Sequence, residues 1–263
     1  MKVLARYADL AGRRALVTGA SSGIGFGVAE AMLEQGMSVG VHYRSGRRAA
    51  EALQARFPGR AFALQADLSR EEECAGLVRG AAAAMGGLEC LVHSAAIWSP
   101  GPIDRIEAAQ LEEIFRVNLY SAFYLVREAV TSLRAGARGR GSVVLIGSTA
   151  GQRGEPGHSH YAATKGGLQS LAMSLAVELA PAVRVNLVSP GWVRTPMAEG
   201  ELSELGARIA GALPNRRVGE VEDVVHAVLY LASEASAHLV GQDLCVSGGA
   251  LLVVPRGQIQ QVE

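Results

Sequence analysis

The sequence predicts an α/β fold in which a doubly wound parallel sheet lies between two layers of helices. Short apolar runs alternate with longer segments rich in Ala, Leu and Glu through most of the 263 residues. The runs are almost continuously apolar, as expected for strands that are covered on both faces. A glycine-rich turn joins the first run to the first helical segment. Repeated strand-then-helix units form a parallel sheet with right-handed crossovers, and therefore a three-layer α/β/α architecture.

Each apolar run is predicted as a strand, and each segment between runs as one or more helices. The segment "IGFGVAEAMLEQG" after the first run, for example, ends at Gly36, because glycine commonly terminates helices. In chain order the predicted strands are "RALVTG" (14–19), "SVGVHY" (38–43), "AFALQA" (61–66), "CLVHSA" (90–95), "SVVLIG" (142–147), "VRVNLVS" (183–189) and "DLCVS" (243–247).

A single domain is predicted over residues 1–263, because no linker rich in Pro, Gly and Ser divides the chain. The least regular segment, residues 192–217, follows a late strand, and we predict that it forms a mobile substrate flap. The polar tail after Val254 is predicted to be loosely held.

Composition and charge narrow the classes of function. The 25 basic and 25 acidic residues balance, which argues against a nucleic-acid or anionic-membrane binder. Cys74, Cys90 and Cys245 lack metal-ligand spacing, so we predict no metal site and buried free thiols in a reducing compartment. No stretch approaches the roughly 20 apolar residues of a membrane span, and the first residues lack the apolar core of a signal peptide. A cytoplasmic protein is expected.

The glycine-rich turn "TGASSGIG" (18–25) follows the first strand and opens a helix. In doubly wound sheets, ligands bind at the carboxyl ends of strands, where helix N-termini present free N–H groups. Gly19, Gly23 and Gly25 would allow a tight turn and a close approach of backbone to a pyrophosphate. A glycine trio also occurs in ordinary turns, but its place between strand and helix predicts dinucleotide binding.

The spacing T-G-x-x-x-G-x-G, taken with later motifs, resembles the short-chain dehydrogenase/reductase family, and most of all its 3-oxoacyl-(acyl-carrier-protein) reductases. The resemblance covers residues 10–252 and implies a Rossmann fold, a nicotinamide cofactor, reversible reduction of a ketone to a secondary alcohol, and a homotetramer. Apolar positions on the predicted helices 111–133 and 161–179 exceed what one sheet face needs, as expected for subunit contacts. The further motifs are "ADL" (66–68), "VNL" (117–119), "IGS" (146–148), "YAATK" (161–165), "VRVNLVSPGWVRT" (183–195) and "GQDLCVSGG" (241–249).

The end of the second strand bears on the choice between NADP(H) and NAD(H). NAD sites usually place an acidic residue there, but no Asp or Glu occurs between this strand and Glu51. Tyr43 takes the carboxylate's place and is followed by Arg44 and Ser45. A guanidinium and a hydroxyl suit a 2′-phosphate, so NADP(H) is predicted over NAD(H). The alternative is a solvated arginine that opens a loop.

The resemblance assigns the remaining cofactor contacts. Asp67 would accept a hydrogen bond from the adenine amino group. The chain departs from the family's N-N-A-G with "HSAA" (93–96), in which His93 is interpreted as structural. Beyond Tyr43, Arg44 and Ser45, the predicted cofactor-binding residues are Thr18, Gly19, Ser21, Ser22, Gly23, Ile24, Gly25, Asp67, Leu68, Ser94, Ala95, Ala96, Tyr161, Lys165, Pro190, Gly191, Val193 and Thr195.

Tyr161 and Lys165 lie one helical turn apart, so both would point to the same side. This spacing also occurs on ordinary helix surfaces. Reducing a ketone needs a hydride from the cofactor and a proton from the protein. A free tyrosine has a pKa near 10, and a lysine ammonium nearby would lower it. Tyr161 is therefore predicted as the acid–base residue, with Lys165 lowering its pKa.

Two more residues complete the predicted catalytic set. Ser148 follows the fifth strand and could hydrogen-bond the substrate oxygen. By resemblance, Asn118 holds a water that links Lys165 to solvent. The predicted substrate pocket consists of Trp98, Gln152, Arg153, His158, Trp192 and Met197.

Several substrates fit this reading. A 3-oxoacyl thioester ranks first, and docking of a carrier protein would use Arg138, Arg140 or Arg153. Val177, where many such reductases have a basic residue, is a departure. "HYRS" and "HSAA" are also similar to sugar dehydrogenases and pteridine reductases, so a sugar, polyol, pteridine or quinone is the alternative. In another class, the chain could be an NADP(H)-binding sensor or scaffold, although such proteins commonly lose the Tyr or Lys that this chain retains.

Overall fold

The computed structural model describes residues 5–136 and 140–252. Within these residues, one sheet of seven strands has the order β3-β2-β1-β4-β5-β6-β7, and each neighbouring pair is parallel. Every predicted run forms a strand, and the doubly wound α/β prediction is confirmed. The strands are β1 (Arg14–Val17), β2 (Ser38–Tyr43), β3 (Ala61–Gln65), β4 (Cys90–His93), β5 (Gly141–Ile146), β6 (Val183–Pro190) and β7 (Asp243–Val246).

Helices fill the connections between strands. A five-residue π-helical turn, Arg116–Tyr120, joins two of them into one long helical segment. The α-helices are α1 (Gly23–Glu34), α2 (Arg47–Arg56), α3 (Glu71–Met85), α4 (Ala108–Phe115), α5 (Ser121–Arg134), α6 (Thr149–Arg153), α7 (Ser159–Leu179), α8 (Glu199–Ala212) and α9 (Val221–Ala232).

Two hydrophobic clusters cover the two faces of the sheet. In β1, Leu16 packs into the cluster formed with α3, α5 and α7, while its neighbours Ala15 and Val17 pack into the cluster formed with α1, α2 and α9. Successive side chains of a strand point to opposite faces, so a strand between two helical layers buries all of them. This explains why the predicted strands are apolar without alternation.

The strand order places a cleft at the carboxyl edge of the sheet. The chain winds from β1 through β2 to β3 in one direction, and then crosses to β4 on the other side of β1. Open α/β sheets bind ligands at such a switch point. The segments after β1, β4, β5 and β6, which contain most of the predicted site residues, all meet at this edge.

Two sequence expectations are wrong. Residues 192–217 are not irregular, because they contain a short 3-10 helix (Pro196–Ala198) and the 14-residue helix α8. Leu202 of α8 packs with Val218 in a small apolar cluster of its own, and this contact stabilises a helix that contains three glycines. Cys245 is exposed rather than buried, because β7 is an edge strand. Whether residues 192–217 move as a substrate flap stays a prediction. The single domain over residues 1–263 also stays a prediction. The tail after Val254 lies outside the described residues.

In the part of the chain that the structure describes, no helix has the length and apolar character needed to cross a membrane. The same residues contain no group of three or more His, Cys, Asp or Glu side chains that could hold a metal ion.

Candidate active site

A cavity of about 410 Å³ lies at the carboxyl edge of the sheet. It brings together residues from the ends of six strands, which are far apart in the sequence. Of the predicted site residues, those that line it are Gly19, Ser21, Ser22, Gly23, Ile24, Gly25, Arg44, Ser45, Asp67, Leu68, Ser94, Ala95, Ala96, Trp98, Ser148, Arg153, Tyr161, Lys165, Pro190, Gly191, Trp192, Val193, Thr195 and Met197.

The glycine-rich turn is packed too closely to accept larger side chains. Gly19 has a φ of 64°, and a Cβ there would lie 2.8 Å from Ala95 Cα. A Cβ on Gly25 would lie 2.3 Å from the Gly19 carbonyl oxygen. Helix α1 begins at Gly23, and Ser22 before it makes no side-chain capping bond, so the first N–H groups of the helix face the cavity uncapped. This cradle fits a nucleotide pyrophosphate.

Replacing Gly25 by alanine is expected to abolish binding of a nicotinamide nucleotide and to lower the melting temperature, because backbone must shift to admit the methyl group. Gly76→Ala and Gly80→Ala are matched controls on α3, where a Cβ meets nothing within 4 Å. These controls should raise stability by about 0.5–1 kcal/mol each. Thermal unfolding and NADPH fluorescence titration measure both effects. Unchanged NADPH affinity in Gly25→Ala would contradict the cradle.

Two buried side chains hold the turn in place. Thr18 does not line the cavity; its Oγ1 accepts hydrogen bonds from Ser94 N at 3.0 Å and Ala95 N at 3.1 Å. His42 lines the cavity and was not predicted from the sequence. Its Nδ1 accepts from Gly19 N at 3.0 Å, which leaves the proton on Nε2 to bond Ala66 O at 3.1 Å. Burial lowers the pKa of His42 to about 4, so the ring is neutral.

The predicted 2′-phosphate residues do not all reach the cavity. Arg44 and Ser45 are exposed and line it, but Tyr43 is buried in the core and does not. Side chains on β2 alternate, so His42 faces the cavity and Tyr43 faces away. Asp67 lines the cavity, and hydrogen bonds from the main chain and hydroxyl of Ser69 lower the pKa of its carboxyl despite partial burial.

Ser148 and Tyr161 meet at the other end of the cavity. Ser148 is the N-cap of α6, where its Oγ accepts a hydrogen bond from Ala150 N at 3.0 Å. The Ser148 side chain lies next to the Tyr161 hydroxyl, close enough to act on its pKa. Burial raises the pKa of Tyr161 to about 12, although the Ser148 bond acts in the opposite direction and Glu155 adds to the rise. Tyr161 is therefore a protonated phenol in this structure.

In the structure, burial rather than Lys165 sets the pKa of Tyr161; a lowering of that pKa by Lys165 together with an oxidised nicotinamide stays a prediction. The Lys165 Nζ lies 5.6 Å from the centre of the Tyr161 ring and donates a hydrogen bond to Ile146 O at 2.8 Å. Burial lowers the pKa of Lys165 to about 7.

Asn118 lies in the π-helical turn and is fully buried outside the cavity lining. Its Oδ1 accepts from Ile97 N at 2.8 Å, and its Nδ2 donates to Ile97 O at 2.9 Å and to Thr164 Oγ1 at 3.3 Å. The side chain thus ties the loop after β4 to α7, the helix that contains Tyr161. Single π-helical turns are frequent at functional sites. A water held by Asn118 stays a prediction.

The predicted substrate pocket is only partly assembled. Trp98, Trp192, Met197 and Arg153 line the cavity. His158 does not; its ring stacks on Trp98 with the centroids 4.3 Å apart.

Gln152 points away from the cavity, because its Nε2 donates to Asp243 Oδ2 at 2.6 Å on the edge strand. Glu155 lines the cavity and was missed, since nothing in the sequence distinguishes it from other turn residues. His160 is buried, and its ring lies against the loop at Gly101.

The arginines proposed for carrier-protein docking do not lie together in the structure. Arg140 precedes β5, while Ser148 follows it, so these residues lie at opposite edges of the sheet. Arg140 also pairs with Glu234 at 3.2 Å. It cannot flank the mouth of the cavity, and that expectation is wrong. Arg138 lies outside the described residues, which leaves Arg153.

Comparisons with known proteins agree on the type of protein. A protein-family model described as enoyl-(acyl carrier protein) reductase matches residues 19–250. Nodulation protein G of Rhizobium sp. (strain N33) is 36% identical over 246 residues, covering 93% of this chain and 99% of that protein. The 3-oxoacyl-(acyl-carrier-protein) reductase FabG of Staphylococcus aureus (strain Mu50) is 30% identical over 241 residues, covering 90% and 97%.

Solved structures agree as well. The crystal structure from Brucella melitensis described as short-chain dehydrogenase/reductase SDR:Glucose/ribitol dehydrogenase superposes with a TM-score of 0.89 at 30% identity. The match covers 95% of this chain and 100% of that chain.

Proposed function

We propose, from the premise that this chain belongs to the short-chain dehydrogenase/reductase family, that it uses NADPH to reduce a ketone, in the first place a 3-oxoacyl thioester. The chain is an oxidoreductase of that family, whose members bind a nicotinamide cofactor. One observation supports the reaction most: Ser148, Tyr161 and Lys165 line one end of the same cavity whose other end is the glycine cradle.

The roles of the three side chains follow from their surroundings. The nicotinamide, when bound, supplies the hydride. Ser148 would hydrogen-bond the substrate oxygen and hold it against the phenol. Tyr161, with a pKa of about 12, keeps its proton at neutral pH and would donate it to that oxygen. Lys165, with a pKa of about 7, can both take up and release a proton near neutrality, which suits returning one to Tyr161.

In the structure, Tyr161 holds the proton that reduction of a ketone requires. Oxidation of an alcohol would need Tyr161 as a phenolate, and burial disfavours that form. Asn118 would contribute by positioning, since its bonds to Ile97 and Thr164 hold two walls of the cavity together.

Preference for NADP(H) is part of the proposal and is supported by Arg44 and Ser45 at the cavity wall. Arg44→Glu is expected to lower kcat/KM for NADPH by about 10- to 100-fold and to favour NADH, because a charge-assisted hydrogen bond becomes a repulsion. Steady-state kinetics with both cofactors measure the ratio. Arg48→Glu, an exposed neighbour outside the cavity, is the matched control. The assignment fails if the two variants have the same NADPH/NADH ratio.

The thioester substrate is supported by the printed names of the relatives, and Arg153 at the cavity could meet an acidic carrier protein. A sugar or polyol is the alternative, supported by the name of the Brucella melitensis structure. Trp98 and Trp192 favour a pteridine- or quinone-type ring as a further alternative. NADPH oxidation with acetoacetyl thioesters, sugars, quinones and pterins discriminates among them. NADPH binding without turnover on the whole panel would instead indicate a sensor or scaffold.

A homotetramer is proposed from the resemblance and from apolar residues that α5 and α7 leave uncovered. Phe123 is 50% exposed, Met173 51% and Val177 80%. Exposed apolar patches commonly mark interfaces. Light scattering during size-exclusion chromatography measures the assembly, and a monomer would overturn the proposal. The cytoplasmic location stays a prediction.

A further inference from the structure

Both tryptophans of this chain line the substrate end of the cavity. Trp98 follows β4 and Trp192 follows β6, and the sequence contains no third tryptophan. Their ring centroids lie 6.2 Å apart with an angle of 86° between the planes. The two indoles therefore form a right-angled wall, which we call the aromatic corner.

His158 holds one side of the aromatic corner in position. Its ring lies parallel to Trp98, with 4.3 Å between centroids and 4° between planes. His158 is the N-cap residue of α7, and its Nδ1 lies 4.0 Å from a carboxylate oxygen of Glu155. Because α7 also contains Tyr161, the residue that supports Trp98 lies at the start of the helix that contains the proton donor. Side chains that are ordered before binding lose less conformational entropy when a ligand binds.

The corner distinguishes flat ligands from flexible ones. His158 covers one face of Trp98, Trp192 stands at right angles to that ring, and both indoles line the cavity. Aromatic rings gain from stacked and edge-to-face contacts beyond the apolar area that they bury, by about 2- to 12-fold in affinity for each contact. An alkyl chain of the same size gains only from area. A ligand ring against two fixed indoles is therefore favoured by about tenfold.

We propose that Trp98 and Trp192 are specificity-determining residues that select substrates with an aromatic ring beside the ketone, and that His158 is a positioning residue for Trp98. The inference rests on the proposed function and specifies its substrate class as 3-oxoacyl thioesters with an aryl-bearing acyl group. The reaction is unchanged: Tyr161 would give its proton to the ketone oxygen and regain one by way of Lys165, the bound nicotinamide would supply the hydride to the carbonyl carbon, and the product is a secondary alcohol.

A pair of substrates with the same number of carbon atoms tests the proposal. The N-acetylcysteamine thioesters of 3-oxo-4-phenylbutanoic acid and 3-oxodecanoic acid both place the ketone between two CH₂ groups, so their ketones are similarly reactive. Steady-state NADPH oxidation should give a KM about tenfold lower for the phenyl compound. Trp98→Leu and Trp192→Leu should each remove most of this difference. Equal KM values in the wild-type enzyme, or a difference that both variants retain, would overturn the proposal.

The role of His158 has its own readout. His158→Ala should raise KM for the phenyl substrate by more than it lowers kcat, because the Trp98 ring loses its support. His158→Phe preserves a stacked ring and should restore most of the affinity. If both variants behave alike, His158 does not act through stacking on Trp98.

Failure of the proposed function would look different. In that case neither thioester would oxidise NADPH, while a sugar, quinone or pterin would. Trp98→Leu would then be compared on a ring ketone and an open-chain ketone from that panel. A selective loss on the ring ketone supports the aromatic corner, and an equal loss on both overturns it.

Discussion

Replacing Tyr161 by phenylalanine is expected to lower kcat by about 10²- to 10⁴-fold, the usual contribution of a positioned proton donor. The change removes one hydroxyl and leaves the ring that fills the buried site. Tyr161 lines the cavity beside Ser148, and its pKa of about 12 keeps it protonated at the pH of the reaction. Ser148 is not expected to supply the proton, because a serine hydroxyl is far less acidic than a phenol; its Oγ accepts from Ala150 N, and its O–H stays free to hydrogen-bond the substrate oxygen.

NADPH oxidation at saturating ketone measures the loss, and NADPH fluorescence titration should show an affinity within a fewfold of wild type. Tyr124→Phe is a matched control, because this partly buried tyrosine on α5 packs beside Arg127 outside the cavity. It should retain wild-type kcat. Turnover of Tyr161→Phe near that of the control would refute Tyr161 as the donor.

Lys165→Met is expected to lower turnover by about 10²-fold or more and to change how stability depends on pH. The pKa of Lys165 is about 7 in the folded chain, against about 10.4 for an unfolded lysine. Between these values the unfolded chain binds the additional proton, so this residue makes the free energy of unfolding rise with pH, by at most about 1.4 kcal/mol per pH unit. Below about pH 7 both states are protonated and the slope vanishes.

Urea unfolding of wild type and Lys165→Met at pH 6, 7.5 and 9 measures this contribution. The free energy of unfolding of the wild type relative to the variant should rise only a little from pH 6 to 7.5, the interval in which Lys165 titrates, and by close to the full slope from pH 7.5 to 9. Tyr161→Phe is the control that should keep the wild-type slope, because the Tyr161 contribution lies above about pH 10. Parallel curves for wild type and Lys165→Met would show that Lys165 is not destabilised as an ammonium.

The sheet and the cradle were predictable because their signals are local. β2 spans Ser38–Tyr43, as predicted, since apolar runs and flanking breakers are read over a few residues. The turn at residues 18–25 was predictable for a similar reason: a φ of 64° at Gly19 favours glycine, and a Cβ at Gly19 or Gly25 would lie too close to neighbouring backbone. Helix α8 was missed because its support comes from Val218, beyond its own end.

Side-chain direction was less predictable. A strand buried on both faces has no polar alternation, so the sequence could not tell that His42 and not Tyr43 lines the cavity. The direction of the Gln152 side chain could not be predicted either, because its hydrogen-bond partner Asp243 is distant in sequence. The stack of His158 on Trp98 likewise joins residues that only the fold brings together.

The amino-acid sequence by itself determined the seven strands, the glycine cradle, and the tyrosine, lysine and serine that line the cavity. Only the tertiary structure decided the pKa values of these side chains, because burial raises the pKa of Tyr161 and lowers that of Lys165. The physical reason is that desolvation depends on every atom that excludes water from a group, whichever part of the chain those atoms come from. Residue spacing indicates which groups are neighbours, and burial determines which of them hold a charge.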